Sequence, residues 1–438
     1  MTQSKVNCVT SDMPRSASTE SPKDLREMII PDGCSNARAV FNLVMTAIGL
    51  GIMTLPLAFA RAGWISGIIL LFVAGVFVYY NVTLLCDGLC MNPENPKRPI
   101  LSFEDLGRIC YGKVATVINS ITLHPLLLCA CAAFLILLAT SMYSLTGVLS
   151  YNLWLLIVTI LIMPFSCLRS MKEIGILSAL GVASAFATVI LVVIASVDEY
   201  VAEGIENDTI TYHLSGGPIQ LISVFCTYLL SFNVSITVPT IMKDVRRPQR
   251  FRRVAWISFV FVGVVYLLIT TVGYLAFGDA ITNYDTMIEA FSPGNRSDWT
   301  VYSWLINICA VVLVATHFLV IMSPSAQLSD HLLDENLTKK WTNRVLAEVV
   351  RCGLRIGLVI LCSLIAFFVP SVDKLVNLLS AVFVVLIALV YPTVYYWRIL
   401  QLHGVTQSRW IVWVQRVLVA IAFVALVFGT YMAVKDFF

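Results

Sequence analysis

Charge is what this sequence has least of. Asp, Glu, Lys and Arg fill 13% of its 438 positions, about half the share usual in soluble domains, while 58% of the residues are hydrophobic. So few charges cannot cover a water-exposed surface, and a polytopic membrane protein is indicated. Other absences narrow the function. There is no Gly-x4-Gly-Lys-Ser/Thr loop to cradle a nucleotide phosphate, which excludes an ATP-driven pump built on that motif. There is no CxxC pair, and Cys129 and Cys131 point to different faces of one helix, so no metal site is expected. No paired His, Asp or Cys groups are spaced to share a cavity, so no enzyme, no cofactor and no nucleic-acid partner is expected. The first 36 residues lack an apolar stretch followed by a cleavage site, which excludes a secretory signal peptide there. They are polar and read as a disordered cytoplasmic tail, leaving 37–438 as one membrane domain.

What is present in quantity is apolar runs of spanning length. Eleven are legible, at about 38–61, 65–86, 114–140, 150–166, 174–197, 217–241, 254–276, 299–323, 348–369, 373–397 and 411–434. An all-α integral membrane protein of eleven transmembrane helices is expected. With the N-terminus on the cytoplasmic side, every basic residue falls inside except Arg61, Arg296, Lys374 and Lys435, which is the asymmetry that the positive-inside rule describes. The basic run Lys243 to Arg253 sets topology in this reading, or holds anionic lipid head groups. Five Asn-X-Ser/Thr sequons occur. Only Asn207 and Asn295 fall in long outside loops, where glycosylation is expected. None of the twelve cysteines falls in an outside loop, so no extracellular disulfide is expected.

The first span is anomalous. It carries Gly49, Gly51 and Pro56 within one apolar run. Glycine costs a helix interior about 1 kcal/mol against alanine and proline about 3, and in lipid every freed backbone group needs a partner. Such a break makes sense where it lines a cavity, as in secondary transporters that hold substrate at the midplane. The alternative is small residues at a tight helix crossing. The sixth span is interrupted more mildly, by Asn233, Ser235, Thr237 and Pro239. Two histidines, His124 and His317, are the ionisable groups lying clearly within spans, and histidine titrates near physiological pH. His124 precedes Pro125 and is read chiefly as marking a kink.

Five segments in order resemble the amino acid/auxin permease family. They are the broken first span 41–64, the amphipathic inside segment Ser102 to Lys113, and the basic turn Cys167 to Gly181. The fourth is Phe232 to Lys243 with Pro248 to Phe251, and the fifth is Gly273 to Gly278. The resemblance covers about residues 37–400. It implies the 5+5 inverted repeat of the leucine-transporter type, with the eleventh helix added. It also implies a secondary active transporter of neutral or small amino acids working by alternating access. Substrate is then expected at Thr46, Gly49, Leu50 and Gly51 on span one, and at Phe232, Asn233 and Ser235 on span six. The chain departs from the family at Val234-Ser235, where relatives often carry Gly-His. Span eight lines the ion site in this fold, which assigns ion coupling to Thr316 and His317. Sodium-coupled relatives place an Asn where this chain has Met45, a poor ligand for a hard cation, which favours protons over sodium. An amino acid sensor with a transporter fold, or a carrier for another small organic acid, remains the alternative. The membrane is the plasma membrane or a vacuolar or lysosomal one.

Overall fold

The structure is a computed structural model that describes residue 30 and residues 33–96, 98–167, 171–201, 210–291, 300–336, 344–369 and 371–437. It is helical nearly throughout. In chain order the helices are α1 (Asn36–Ala47), α2 (Leu50–Ala62), α3 (Trp64–Cys90), α4 (Phe103–Tyr111), α5 (Lys113–Thr146) and α6 (Tyr151–Ser166). Then follow α7 (Met171–Glu199), α8 (Pro218–Ser231), α9 (Val238–Met242), α10 (Phe251–Phe277) and α11 (Met287–Ala290). The last are α12 (Thr300–Asn336), α13 (Arg344–Phe368), α14 (Val372–Leu379), α15 (Tyr391–Leu402) and α16 (Arg409–Phe437).

Among the described residues, eight helices are long and apolar enough to cross a bilayer. A ninth span is the bent pair of α1 and α2, whose axes meet at 57°. The shorter apolar helices α6 and α8 occupy the places of spans four and six. The eighth span is longer than its apolar run suggests, since α12 continues to Asn336 beyond the expected end near 323. The second is longer too, and brings Asp87 into α3. Spans ten's two pieces, α14 and α15, are joined through two π-helical turns, Ser380–Val384 and Leu386–Val390, a distortion that often accompanies functional positions.

Local chemistry fixes the joints. Ser102 opens α4 by accepting a bond from the Asp105 N–H at 3.0 Å, a serine cap worth about 1 kcal/mol. Gly63 closes α2 and opens α3 with φ +78°. A side chain there would be strained, and its Cβ would lie 2.7 Å from the His213 carbonyl oxygen. The segment 213–216 passes this corner and is bonded to it: the Trp64 N–H donates to His213 O at 3.1 Å and the Gly216 N–H to Ala62 O at 2.8 Å. On the opposite, basic side, Cys34 pairs with Val245 in a short parallel bridge. The Cys34 N–H donates to Asp244 O at 2.7 Å and the Arg246 N–H to Cys34 O at 3.1 Å. The residues just before α1 and just after α9 are thereby tied together.

Candidate functional site

Both interrupted spans break at the same depth and face each other. In span one the helix stops at Ala47 and resumes at Leu50, so the break falls at Ile48-Gly49. Gly51 and Pro56 lie inside α2 and do not interrupt it. The Gly49 N–H turns back to Ala47 O at 2.9 Å rather than to Met45 O, its partner in an unbroken helix. The freed Met45 carbonyl is met by His317 of α12, whose Nε2 lies 3.1 Å from it. The other ring nitrogen, Nδ1, lies 3.0 Å from Leu313 O. A neutral imidazole donates to one of these oxygens and the imidazolium donates to both. Gly49 gives the ring room, since a Cβ there would sit 3.3 Å from His317 Cδ2. At the new N-terminus, α2 carries no side-chain cap, which leaves backbone N–H groups and the positive end of the helix dipole at the break.

Span six breaks between α8 and α9. Over Phe232–Thr237 the chain makes turns: the Asn233 N–H donates to Leu230 O and the Ser235 N–H to Asn233 Oδ1 at 3.2 Å. Since the Ser235 N–H is taken by a side chain, Ser231 O loses its usual helical donor. Ser235 is fully buried and its hydroxyl has no partner.

Tyr266 of α10 joins the two breaks. Its hydroxyl is 2.5 Å from Ala47 O and 2.9 Å from Ser231 O, and its single proton donates to one of them at a time. Gly51 permits this approach: a Cβ there would lie 3.0 Å from Ser231 Cβ and 3.0 Å from the Tyr266 oxygen. Phe232 closes the cluster, with its ring centroid 5.1 Å from Tyr266 and 6.0 Å from Phe259. Beside the breaks, a cavity lined by Leu43, Ala47, Phe232, Val234, Ser258, Phe259 and Val262 measures about 10 Å³, barely room for one water.

The remaining expected residues sit as follows. Thr46 lies in the last turn of α1, with its hydroxyl donating to Asn42 O at 2.9 Å. Thr316 donates to Val312 O or Leu313 O at 2.9 and 2.8 Å and packs on Gly181 of α7. Leu50 opens α2. His124 lies in α5, which runs unbroken through Pro125, with Nδ1 3.1 Å from Ser325 Oγ of α12. Asn207 and Asn295 lie outside the described residues.

Two features were not foreseen. One is Tyr266. The other is a bidentate ion pair at the far end of α2, where Arg61 donates to both carboxylate oxygens of Asp373 at 2.8 Å each. The pair joins the second half of span one to the start of span ten. It borders a cavity of about 370 Å³ that is also lined by Gln220, Thr227, Asn377 and Asp436. A basic residue eleven or so positions after the break was the available signal, and only its place outside the membrane was read from it.

Comparison with known proteins agrees with this architecture. A Na+-coupled sialic acid symporter, solved in a substrate-bound outward-open state, superposes with a TM-score of 0.53 over 94% of this chain and 93% of that one, at 11% identity. At that identity the likeness is one of fold: the inverted repeat of the leucine-transporter type. Among curated sequences, the amino acid transporters AVT1E and AVT1D of Arabidopsis thaliana are 24% and 26% identical over 84% and 85% of this chain. The chain spans 67% and 65% of their lengths. Amino acid transporter AVT1J of the same plant is 24% identical over 92% of both chains. Residues 32–435 match the family described as transmembrane amino acid transporter protein, and the chain belongs to that family.

Proposed function

We propose that this protein is a secondary active transporter of neutral or small amino acids, driven by protons and working by alternating access, with its N-terminus on the cytoplasmic side. Family membership and the transporter fold support amino acid transport. The observation that carries the finer reading is His317 bridging to the carbonyl that the span-one break releases. A substrate carboxylate fits the uncapped N-terminus of α2 at Gly49, Leu50 and Gly51, where backbone N–H groups and the helix dipole favour an anion. Its ammonium group fits the turn Phe232–Ser235, where carbonyls and the unpartnered Ser235 hydroxyl offer acceptors. Protonated His317 donates to Met45 O and Leu313 O together. Loss of the proton releases one of the two and loosens α12 from the break, which couples protonation to rearrangement of the same segment that holds substrate. Thr316, packed on Gly181, keeps α12 in register against α7. In place of an oxygen ligand for sodium, the chain has Met45.

The test is uptake of a labelled amino acid mixture into proteoliposomes, under an imposed proton gradient and separately under a sodium gradient. Proton-driven accumulation is expected. In the His317→Gln variant, accumulation should fall to the equilibrated level while exchange of substrate across the membrane persists. Accumulation driven by sodium alone overturns the coupling. Uptake that is absent under both gradients, from protein with an intact melting transition, overturns the transporter reading in favour of a sensor or another solute.

A further inference from the structure

On the outer surface of the bundle, α3 and α10 run side by side with an apolar crevice of about 380 Å³ between them. Two glycines open it. A Cβ on Gly263 would meet nothing within 4 Å, and the nearest neighbour of one on Gly75 would be the Phe232 ring, at 3.3 Å. The rim projects outward: Phe72 is 71% exposed, Val264 62% and Trp256 56%. All of this lies on spanning helices, where the surroundings are hydrocarbon, so the natural occupant is a lipid chain rather than water.

One end of the crevice is basic. On α10, Arg253, Trp256, Val260, Gly263 and Leu267 follow one another at helical spacing along one stripe. Trp256 packs edge-on against Tyr79 of α3, with centroids 5.4 Å apart, the amphipathic aromatic arrangement of a membrane interface. Arg252 is held by Asp87 of α3 at 3.4 Å. Arg253 is exposed and makes no ion pair among the described residues. Lys243, Arg246 and Arg250, also exposed, precede it on the same side.

We propose that this crevice binds one anionic phospholipid from the leaflet on the basic side, with an acyl chain between α3 and α10 and the net negative charge of its head group against Arg253. The chain lies against Phe232, the first residue of the span-six break, whose ring packs on Tyr266. An occupied crevice therefore buttresses the cluster in which Tyr266 joins the two breaks.

The test uses the delipidated full-length protein in detergent, titrated with phosphatidylserine or phosphatidylcholine and read by native mass spectrometry, which needs no transport activity and so stands apart from the transporter reading. Parent protein is expected to bind one phosphatidylserine in preference to phosphatidylcholine. Gly263→Leu, which fills the crevice, should weaken both lipids by about tenfold or more. Arg253→Gln should reduce the preference for phosphatidylserine by about fivefold, the worth of one basic residue at a membrane surface, and leave phosphatidylcholine binding unchanged. Gly263→Ala, whose Cβ enters open space, should keep binding. Equal binding of the two lipids by the parent, unchanged binding in Gly263→Leu, or displacement of phosphatidylserine by cholesterol overturns the proposal. A photo-crosslinker at Val264 gives a reading that does not depend on Gly263→Leu folding. It should label phosphatidylserine in excess over the same group at Val427, which is 62% exposed on α16; equal labelling overturns the proposal.

Discussion

Removing one oxygen from Tyr266 tests whether the two breaks are fastened through a single hydroxyl. In Tyr266→Phe the ring keeps its packing on Phe232, so no appreciable cavity forms. What is lost is the donor shared by Ala47 O and Ser231 O. Ala47 O retains the Gly49 N–H. Ser231 O retains no helical donor, because the Ser235 N–H bonds to Asn233 Oδ1. One buried carbonyl is therefore left unmet, at a cost of about 1–3 kcal/mol. In the alternating access proposed above, that cost falls on the arrangement in which the two breaks meet at Tyr266, so its population relative to arrangements in which they part should drop by about 5- to 150-fold. Melting of the purified protein in detergent should shift down, and uptake in proteoliposomes should lose its dependence on a closed state, with leak of preloaded substrate rising. Tyr228→Phe is the matched control. Tyr228 is fully buried and its hydroxyl has no partner, so removing that oxygen relieves a burial cost and should leave the melt unchanged or raise it. Equal melts for the parent and Tyr266→Phe, or a larger loss in Tyr228→Phe, would refute the reasoning.

Gly51→Leu should abolish uptake and lower the melt by more than Tyr266→Phe does, since its Cβ alone would sit 3.0 Å from both Ser231 and Tyr266 and overpacking costs about 1–3 kcal/mol; wild-type uptake would exclude the close approach of α2 to α8. Asp373→Asn should destabilise the outer contact by about 2 kcal/mol, the loss of charged hydrogen bonds. A cysteine at Thr227 should then react faster with a water-soluble thiol reagent, and Arg61→Asp with Asp373→Arg should restore the slow rate. Asp285, in the loop after α10, has its carboxyl raised above the ordinary value by burial, opposed by the Ser371 hydrogen bond, reinforced by Asp373 and opposed again by Arg61 and Lys374. A raised value means its contribution is fully present below the unfolded value of about 4 and is lost as pH climbs through the folded one. The parent melt should therefore fall across that window, and Asp285→Asn should fall less steeply; parallel profiles would remove Asp285 as the cause.

Much of the architecture was legible because bilayer solvation leaves a strong mark on composition. The apolar runs, the amphipathic segment at α4 and the anomaly in span one all follow from local sequence. The position of the break within that anomaly did not. Gly51 and Pro56 looked like the interruption, yet both are absorbed into α2 while the chain parts at Ile48-Gly49. The reason is tertiary. Gly51 faces Ser231 and Tyr266, and Pro56 faces Gly273 of α10, where a Cβ would come within 3.0 Å of the proline ring. Both residues serve helix contact, which a single sequence does not distinguish from helix breaking. The same holds for the Arg61–Asp373 pair, whose members are 312 residues apart, and for Tyr266, one hydroxyl among sixteen tyrosines.

The fastenings divide the two broken spans by depth, and the division bears on how they can move. On the basic side, the residues flanking α1 and α9 share a β-bridge, and at the break Tyr266 holds α1 and α8 to α10. At the opposite end, by contrast, α2 is held to the start of α14 by two charged hydrogen bonds. Backbone bonds at the basic end move α1 and α9 together or not at all. The Arg61–Asp373 pair crosses between elements far apart in the chain, and water reaching Arg61 and Asp373 through the adjoining 370 Å³ cavity can replace its hydrogen bonds one by one. In the alternating access proposed above, parting the Arg61–Asp373 end would cost an ion pair that water partly compensates, whereas parting the basic end would require α1 and α9 to swing as one piece about Gly49 and Phe232. His317 sits at that pivot, bonded to the Met45 carbonyl, so in the proton-driven mechanism proposed above its proton would act on the movement of the basic end rather than on that of the Arg61–Asp373 end.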